Sequence, residues 1–153
     1  MELDPVTAKI SVFLLVLLAA CSRAPVDATP DGAVKEWLAH MEGSIDDGRE
    51  AKAAFALLGP TARANLEERA SRASQVEGRH VDPYEMLASG HFGLRFRPQK
   101  LKAAVDGASA TVEVTGSDPA DHAQIHCVKE GTAWRVEPDL PDLQALPKRD
   151  GGT

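Results

Sequence analysis

Apolar residues recur at helical spacing before Pro98 and at every second position after it. This switch of period limits the chain to a helical half followed by a sheet half. In the first half, Thr29-Pro30-Asp31 signals a helix start. It offers a capping hydroxyl, a proline for the first turn and an acid near the positive end of the dipole. Val34, Trp37, Leu38, Met41 and Ile45 then define one buried stripe, with Gly43 ending the helix and Ile45 in the connection. Asp47 and Glu50 predict a capping box for a second helix. Its apolar face is Ala51, Ala54, Phe55 and Leu58, up to the break at Gly59-Pro60. Thr61 is the expected cap of a third, alanine-rich helix with Leu66 inside and Arg63, Glu67, Glu68, Arg69 and Arg72 on a solvated face. A short fourth helix is signalled by Asp82-Pro83-Tyr84-Glu85 before Met86-Leu87, and Gly90 stops it.

After Pro98 the strands follow. Leu101, Ala103 and Val105 alternate with polar residues, Asp106-Gly107 turns the chain, and Ala110, Val112 and Val114 return. His122 to Glu130 is the next strand, with Ile125 and Cys127 on one face. Glu130-Gly131 turns it into Thr132 to Glu137, where Trp134 and Val136 point the same way. The expected fold is α+β, with three to four N-terminal helices packed on one side of a curved antiparallel sheet of about four strands. Leu140, Leu143 and Leu146 can cling to this body, while residues 147–153 read as a frayed tail.

The N-terminus carries an address. Ile10 to Ala20 reads ISVFLLVLLAA without a charge. At ~1.5 Å per residue this run reaches about 17 Å, short of a ~30 Å hydrocarbon core and suited to a signal-peptide h-region. It ends in Leu18-Ala19-Ala20-Cys21, which resembles the lipobox of bacterial lipoproteins. The segment before it departs from that pattern, with Glu2 and Asp4 against Lys9. The resemblance implies cleavage before Cys21, diacylation of its thiol and acylation of the new amine. Residues 1–20 are then a signal peptide and 21–29 a lipidated cysteine with its tether. It implies a bacterial cell-envelope protein held to the membrane by lipid. Ser22 in place of aspartate favours the outer membrane, facing the periplasm.

Helices, a break, and a meander ending in VKEGTAWRVEPDL resemble small lipoproteins of the nuclear transport factor 2-like (cystatin-like cone) superfamily. The likeness covers roughly residues 30–140, and its most characteristic piece is the hairpin from Lys129 to Val136. It implies one such domain over 30–146. That superfamily includes isomerases, dehydratases, transport factors and envelope proteins, so fold alone does not assign an activity.

Charge and residue types narrow the function classes. Seventeen basic against twenty-three acidic side chains leave a net charge of −6, contrary to the basic face that nucleic acid requires. Two cysteines supply neither a disulfide framework nor a four-thiolate zinc site. His122 and His126 share a strand face but stand ~13 Å apart, too far for one ion. Gly90-His91-Phe92-Gly93 lacks the lysine and the strand-to-helix context of a phosphate loop. Ketosteroid-isomerase-like relatives would place carboxylates and a tyrosine in the cone. Here the aspartates fall at caps and turns, and no carboxylate occupies an apolar core position where desolvation would raise its pKa.

The reading is a lipid-anchored, non-catalytic module without cofactor or metal, binding an unidentified protein or small molecule. A small-molecule enzyme and an envelope assembly factor are the alternatives. Cys21 is the lipid attachment site, and Trp37, Phe55, Tyr84 and Trp134 are the candidates for lining a pocket. In a chain with 5% aromatics the same residues are needed as core, so the cone is expected to be plugged by its own tryptophans.

Overall fold

A computed structural model describes residues 24–90 and 92–143. The expected signal peptide, Cys21, His91, Leu146 and the tail lie outside the described residues. Within them, a 3-10 turn (Val26–Ala28) precedes α1 (Pro30–Gly43), α2 (Gly48–Ala56), α3 (Pro60–Glu77) and α4 (Glu85–Gly90). The strands are β1 (Lys100–Asp106), β2 (Ser109–Thr115), β3 (His122–Glu130) and β4 (Ala133–Glu137). They form an antiparallel meander in the order β1-β2-β3-β4, so the α+β architecture follows the switch of period.

Two starts are built as their sequences dictate. The Thr29 hydroxyl accepts the Gly32 amide at 3.2 Å with Pro30 in the first turn. The Glu85 carboxylate accepts the Asp82 amide at 2.9 Å. Two others differ from expectation. Asp47 caps α2 by accepting the Arg49 amide at 2.8 Å, but Glu50 does not close the box. It lies instead 2.6 Å from Nδ1 of His40, tying α2 back to α1. The absent side chain of Gly43 permits this, because a Cβ there would come within 2.9 Å of Glu50 Cγ.

The second difference concerns α3. Gly59, not Thr61, is its N-cap residue, and Pro60 occupies the first turn. The orphan amides of Thr61 and Ala62 donate to the Glu137 carboxylate of β4 at 2.9 and 2.8 Å. A Cβ on Gly59 would collide with that carboxylate. A helix N-terminus carries partial positive charge, so an anion from a distant strand replaces the missing local cap.

The inner sheet face and α1 share one core. Val112 lies opposite Ile125, and Cys127 opposite both Ala110 and Val136. These side chains pack with Val34, Trp37, Leu38 and Met41 of α1 and Trp134 of β4 in a single buried cluster. Leu58, expected on the face of α2, lies past its end and is buried by a parallel bridge to Val136. Two residues depart from the apolar stripes. Ile45 is 66% exposed because α1 ends at Gly43 and the i+4 spacing no longer returns it to the buried face. Val105 is 57% exposed, near the end of β1.

Candidate functional site

The interior of the sheet-and-helix body is occupied by its own side chains. Trp37 and Trp134 are 2% and 5% exposed and belong to the same core cluster. The Trp37 indole N–H is buried without a hydrogen-bond partner among the described residues. Phe55 is half-buried against the core. Tyr84 is half-buried at the start of α4, where its hydroxyl donates to Asp82 at 3.1 Å. That bond and the carboxylate's charge raise the Tyr84 pKa. Trp37, Trp134 and Phe55 thus meet in or against one core cluster, Tyr84 stands apart from it, and none of the four lines the groove described next.

A groove of about 470 Å³ lies outside this interior, at the C-terminal end of α1. Its apolar walls are Leu38 and Met41 of α1, the exposed Ile45, Leu87 of α4, and Leu94 and Phe96 of the connector to β1. Pocket volumes of roughly 300–1,000 Å³ suit small ligands or a few side chains. Glu42 and Arg95, both exposed, stand among the lining residues and form no ion pair within the described residues. Ser44 is 3% exposed at the groove's edge, and its hydroxyl donates to the Met41 carbonyl at 2.9 Å.

The sequence signals assign no element to the connector between α4 and β1. Its burial alternates: Phe92, Leu94, Phe96 and Pro98 are half-buried, while Gly93, Arg95 and Arg97 are exposed. This alternation of apolar and polar residues was visible as a period-two signal. It presents an apolar wall without joining the sheet, so a search for strands or helices passes over it.

The titratable groups elsewhere are arranged for structure. Asp47 is held below its usual range by the Arg49 guanidinium, and Glu85 by Arg79 and the Asp82 amide. Cys127 is 1% exposed, and burial pushes its thiol up to about 12. His122 and His126 are exposed on β3, His126 lying 3.3 Å from the Thr111 hydroxyl. His40 lies 2.6 Å from Glu50 and 3.5 Å from Glu36. Among the described residues no group of three or more His, Cys, Asp or Glu side chains is placed to hold a metal ion. No described helix is long and apolar enough to cross a membrane. No protein-family model, no curated protein and no solved structure matches this chain.

Proposed function

We propose that the chain is a lipid-anchored cell-envelope protein of the nuclear transport factor 2-like type that binds a partner or ligand without transforming it. The observation that carries this reading is the contrast between a tryptophan-filled interior and an open apolar groove beside it. A catalytic cone needs its space inside, whereas a binding module uses whatever concavity its surface offers. Among the described residues the two carboxylates with shifted pKa values, Asp47 and Glu85, are shifted down, opposite to what a general acid requires. The alternative of an envelope assembly factor draws on the exposed Ile45 in the same wall.

The anchoring half of the proposal rests on Leu18-Ala19-Ala20-Cys21 and on how the chain joins the body. Asp27 pairs with Arg135 of β4 at 2.6 Å, with both side chains largely covered. Six steps separate Cys21 from Asp27, a span of at most ~20 Å when extended. A lipid on Cys21 therefore holds the domain close to the bilayer by the end that carries Asp27. The groove sits near Glu42, ~18 Å further along the α1 axis. Acyl chains on one cysteine bind almost permanently, at ~0.8 kcal/mol per buried methylene.

The test is Cys21→Ser in cells supplied with labelled palmitate. Loss of the label and release from the membrane fraction are expected. Unchanged labelling and sedimentation of the variant would overturn the anchor. The groove is tested separately with Leu94→Asp, which should abolish binding of the apolar dye 1-anilinonaphthalene-8-sulfonate; a wild-type signal would remove the groove from the proposal.

A further inference from the structure

We infer that the groove receives a second copy of this chain, the two copies meeting about a twofold axis with the acids of one against the bases of the other. The inference rests on the groove being the binding site proposed above and names its partner. Three observations carry it. First, the two walls of the groove carry opposite charge. Glu42 stands on the α1 wall and Arg95 on the connector wall, both exposed, and neither forms an ion pair among the described residues. The charges that continue each side are likewise exposed and unpaired among the described residues. Asp46 follows Ile45, and Arg97 stands two positions beyond Arg95, on the same side of the alternating connector. Opposite charges that line one concavity without meeting are satisfied by a partner carrying both signs.

Second, this pattern is its own complement. A twofold interface sets one patch against itself, so that residue i of one copy meets residue j of the other and j meets i. Turned about such an axis, the acidic side of each copy lies against the basic side of its partner. The Glu42–Arg95 contact is then made twice. A patch of one sign would repel its own copy.

Third, an apolar side chain is left over at the centre. Ile45 is 66% exposed at a groove whose other apolar walls include Leu94 and Phe96. A small ligand inside the groove leaves the outer part of Ile45 in water, whereas a facing copy covers it with the same apolar walls. An apolar centre within a charged rim is the usual anatomy of a contact between folded proteins. The interior of each copy is already filled by Trp37 and Trp134, so the pair forms from folded monomers.

The experiment uses two full-length copies co-expressed with different affinity tags at the C-terminus, which leaves Leu18-Ala19-Ala20-Cys21 untouched. Cells are dissolved in mild detergent, one tag is captured, and the retained amount of the other is measured. Wild type should retain wild type. Glu42→Arg paired with itself, and Arg95→Glu paired with itself, should each retain about tenfold less, because either swap turns two attractions into two repulsions. Glu42→Arg paired with Arg95→Glu should return toward the wild-type amount, since both contacts again join opposite charges. That recovery also shows both variants to be folded. Failure of wild type to retain wild type, or retention that neither swap changes, overturns the second copy. So does a loss in both variants that mixing does not restore, the result expected of a small ligand bridging the two charges within one copy. Binding of 1-anilinonaphthalene-8-sulfonate to purified wild type, lost in Leu94→Asp, separates the two readings. If the dye binds so and the copies do not associate, the groove stands as a binding site and only the second copy falls. If neither occurs, both fall.

Discussion

The two edges of the sheet are finished in different ways. The β4 edge is closed by its own chain: the Gly59 amide donates to the Val136 carbonyl at 2.8 Å, and the Val136 amide to Leu57 at 2.9 Å. Polar contacts between distant residues reinforce it, with Glu137 capping α3, Glu130 gripped by Arg63 at 2.7 Å and Asp27 by Arg135. At the β1 edge no further strand is paired among the described residues. It carries exposed Lys100 and Lys102, charges that discourage a foreign strand from adding on. Before it runs the connector that walls the groove. One edge is fastened by charge and backbone, and the other end of the molecule keeps apolar surface in reserve. Long-range fastening concentrates in the first and open apolar surface in the second.

The largest expected effect lies on the closed side. Trp134→Ala should cost ~3–5 kcal/mol, because it empties a large site shared by the sheet and α1. Thermal unfolding reads it directly. A midpoint within a degree or two of wild type would mean that Trp134 is not core, and that the interior rather than the groove is the place to seek a ligand. Trp37→Phe should cost far less than Trp37→Ala, since the indole N–H it removes has no partner to lose.

Next comes a pH effect at Cys127, on the same buried face. Its thiol is neutral in the folded protein up to about 12, against 9.0 when exposed. A raised folded pKa means stability is fully present below ~9 and declines as pH rises toward 12, because the unfolded chain releases this proton and the folded chain keeps it. The slope from this one group is at most ~1.4 kcal/mol per pH unit. Urea unfolding between pH 8 and 10.5 should show Cys127→Ala losing less stability than wild type over that interval. Parallel curves would mean that the thiol is not buried. Native protein should likewise resist thiol reagents that label it once unfolded.

A smaller effect belongs to Glu137, the remote cap of α3. Glu137→Ala leaves the Thr61 and Ala62 amides to water and should cost ~1–2 kcal/mol. Hydrogen exchange at the first turn of α3 should quicken with it. Exchange confined to wild-type rates would show that α3 holds its N-terminus without help from β4.

These contacts also mark where the sequence could and could not be read. Thr29 and the Asp82–Glu85 pair were legible because donor and acceptor lie within one turn of each other. Thr61 was misassigned because the group that serves α3 is 76 positions away, beyond any local window. Glu50 was misassigned for a similar reason: its partner, His40, is ten positions back across a turn. Cys127 and both tryptophans were legible from the alternation of their strands and the stripe of α1. The four pocket candidates were chosen for size and aromaticity, and those same properties place Trp37 and Trp134 in the core. The groove was missed because its wall is an alternating segment that pairs with no strand.

The smallest effect is expected at the open end, and its smallness sharpens the contrast. Ile45 is 66% exposed, so Ile45→Ser removes little buried surface and should change stability by no more than ~0.5 kcal/mol, typical of surface positions. The same substitution should strip 1-anilinonaphthalene-8-sulfonate from the groove, because it replaces an apolar wall with a hydroxyl. Binding lost while the unfolding midpoint holds is the signature of a surface kept for a partner. A loss above ~1 kcal/mol would instead make Ile45 part of a packed unit, as large-to-small changes in cores are, and would erase the difference between the two ends. Melting of Ile45→Ser beside Trp134→Ala, in one buffer and with one dye, decides whether stability and binding surface are truly divided between them.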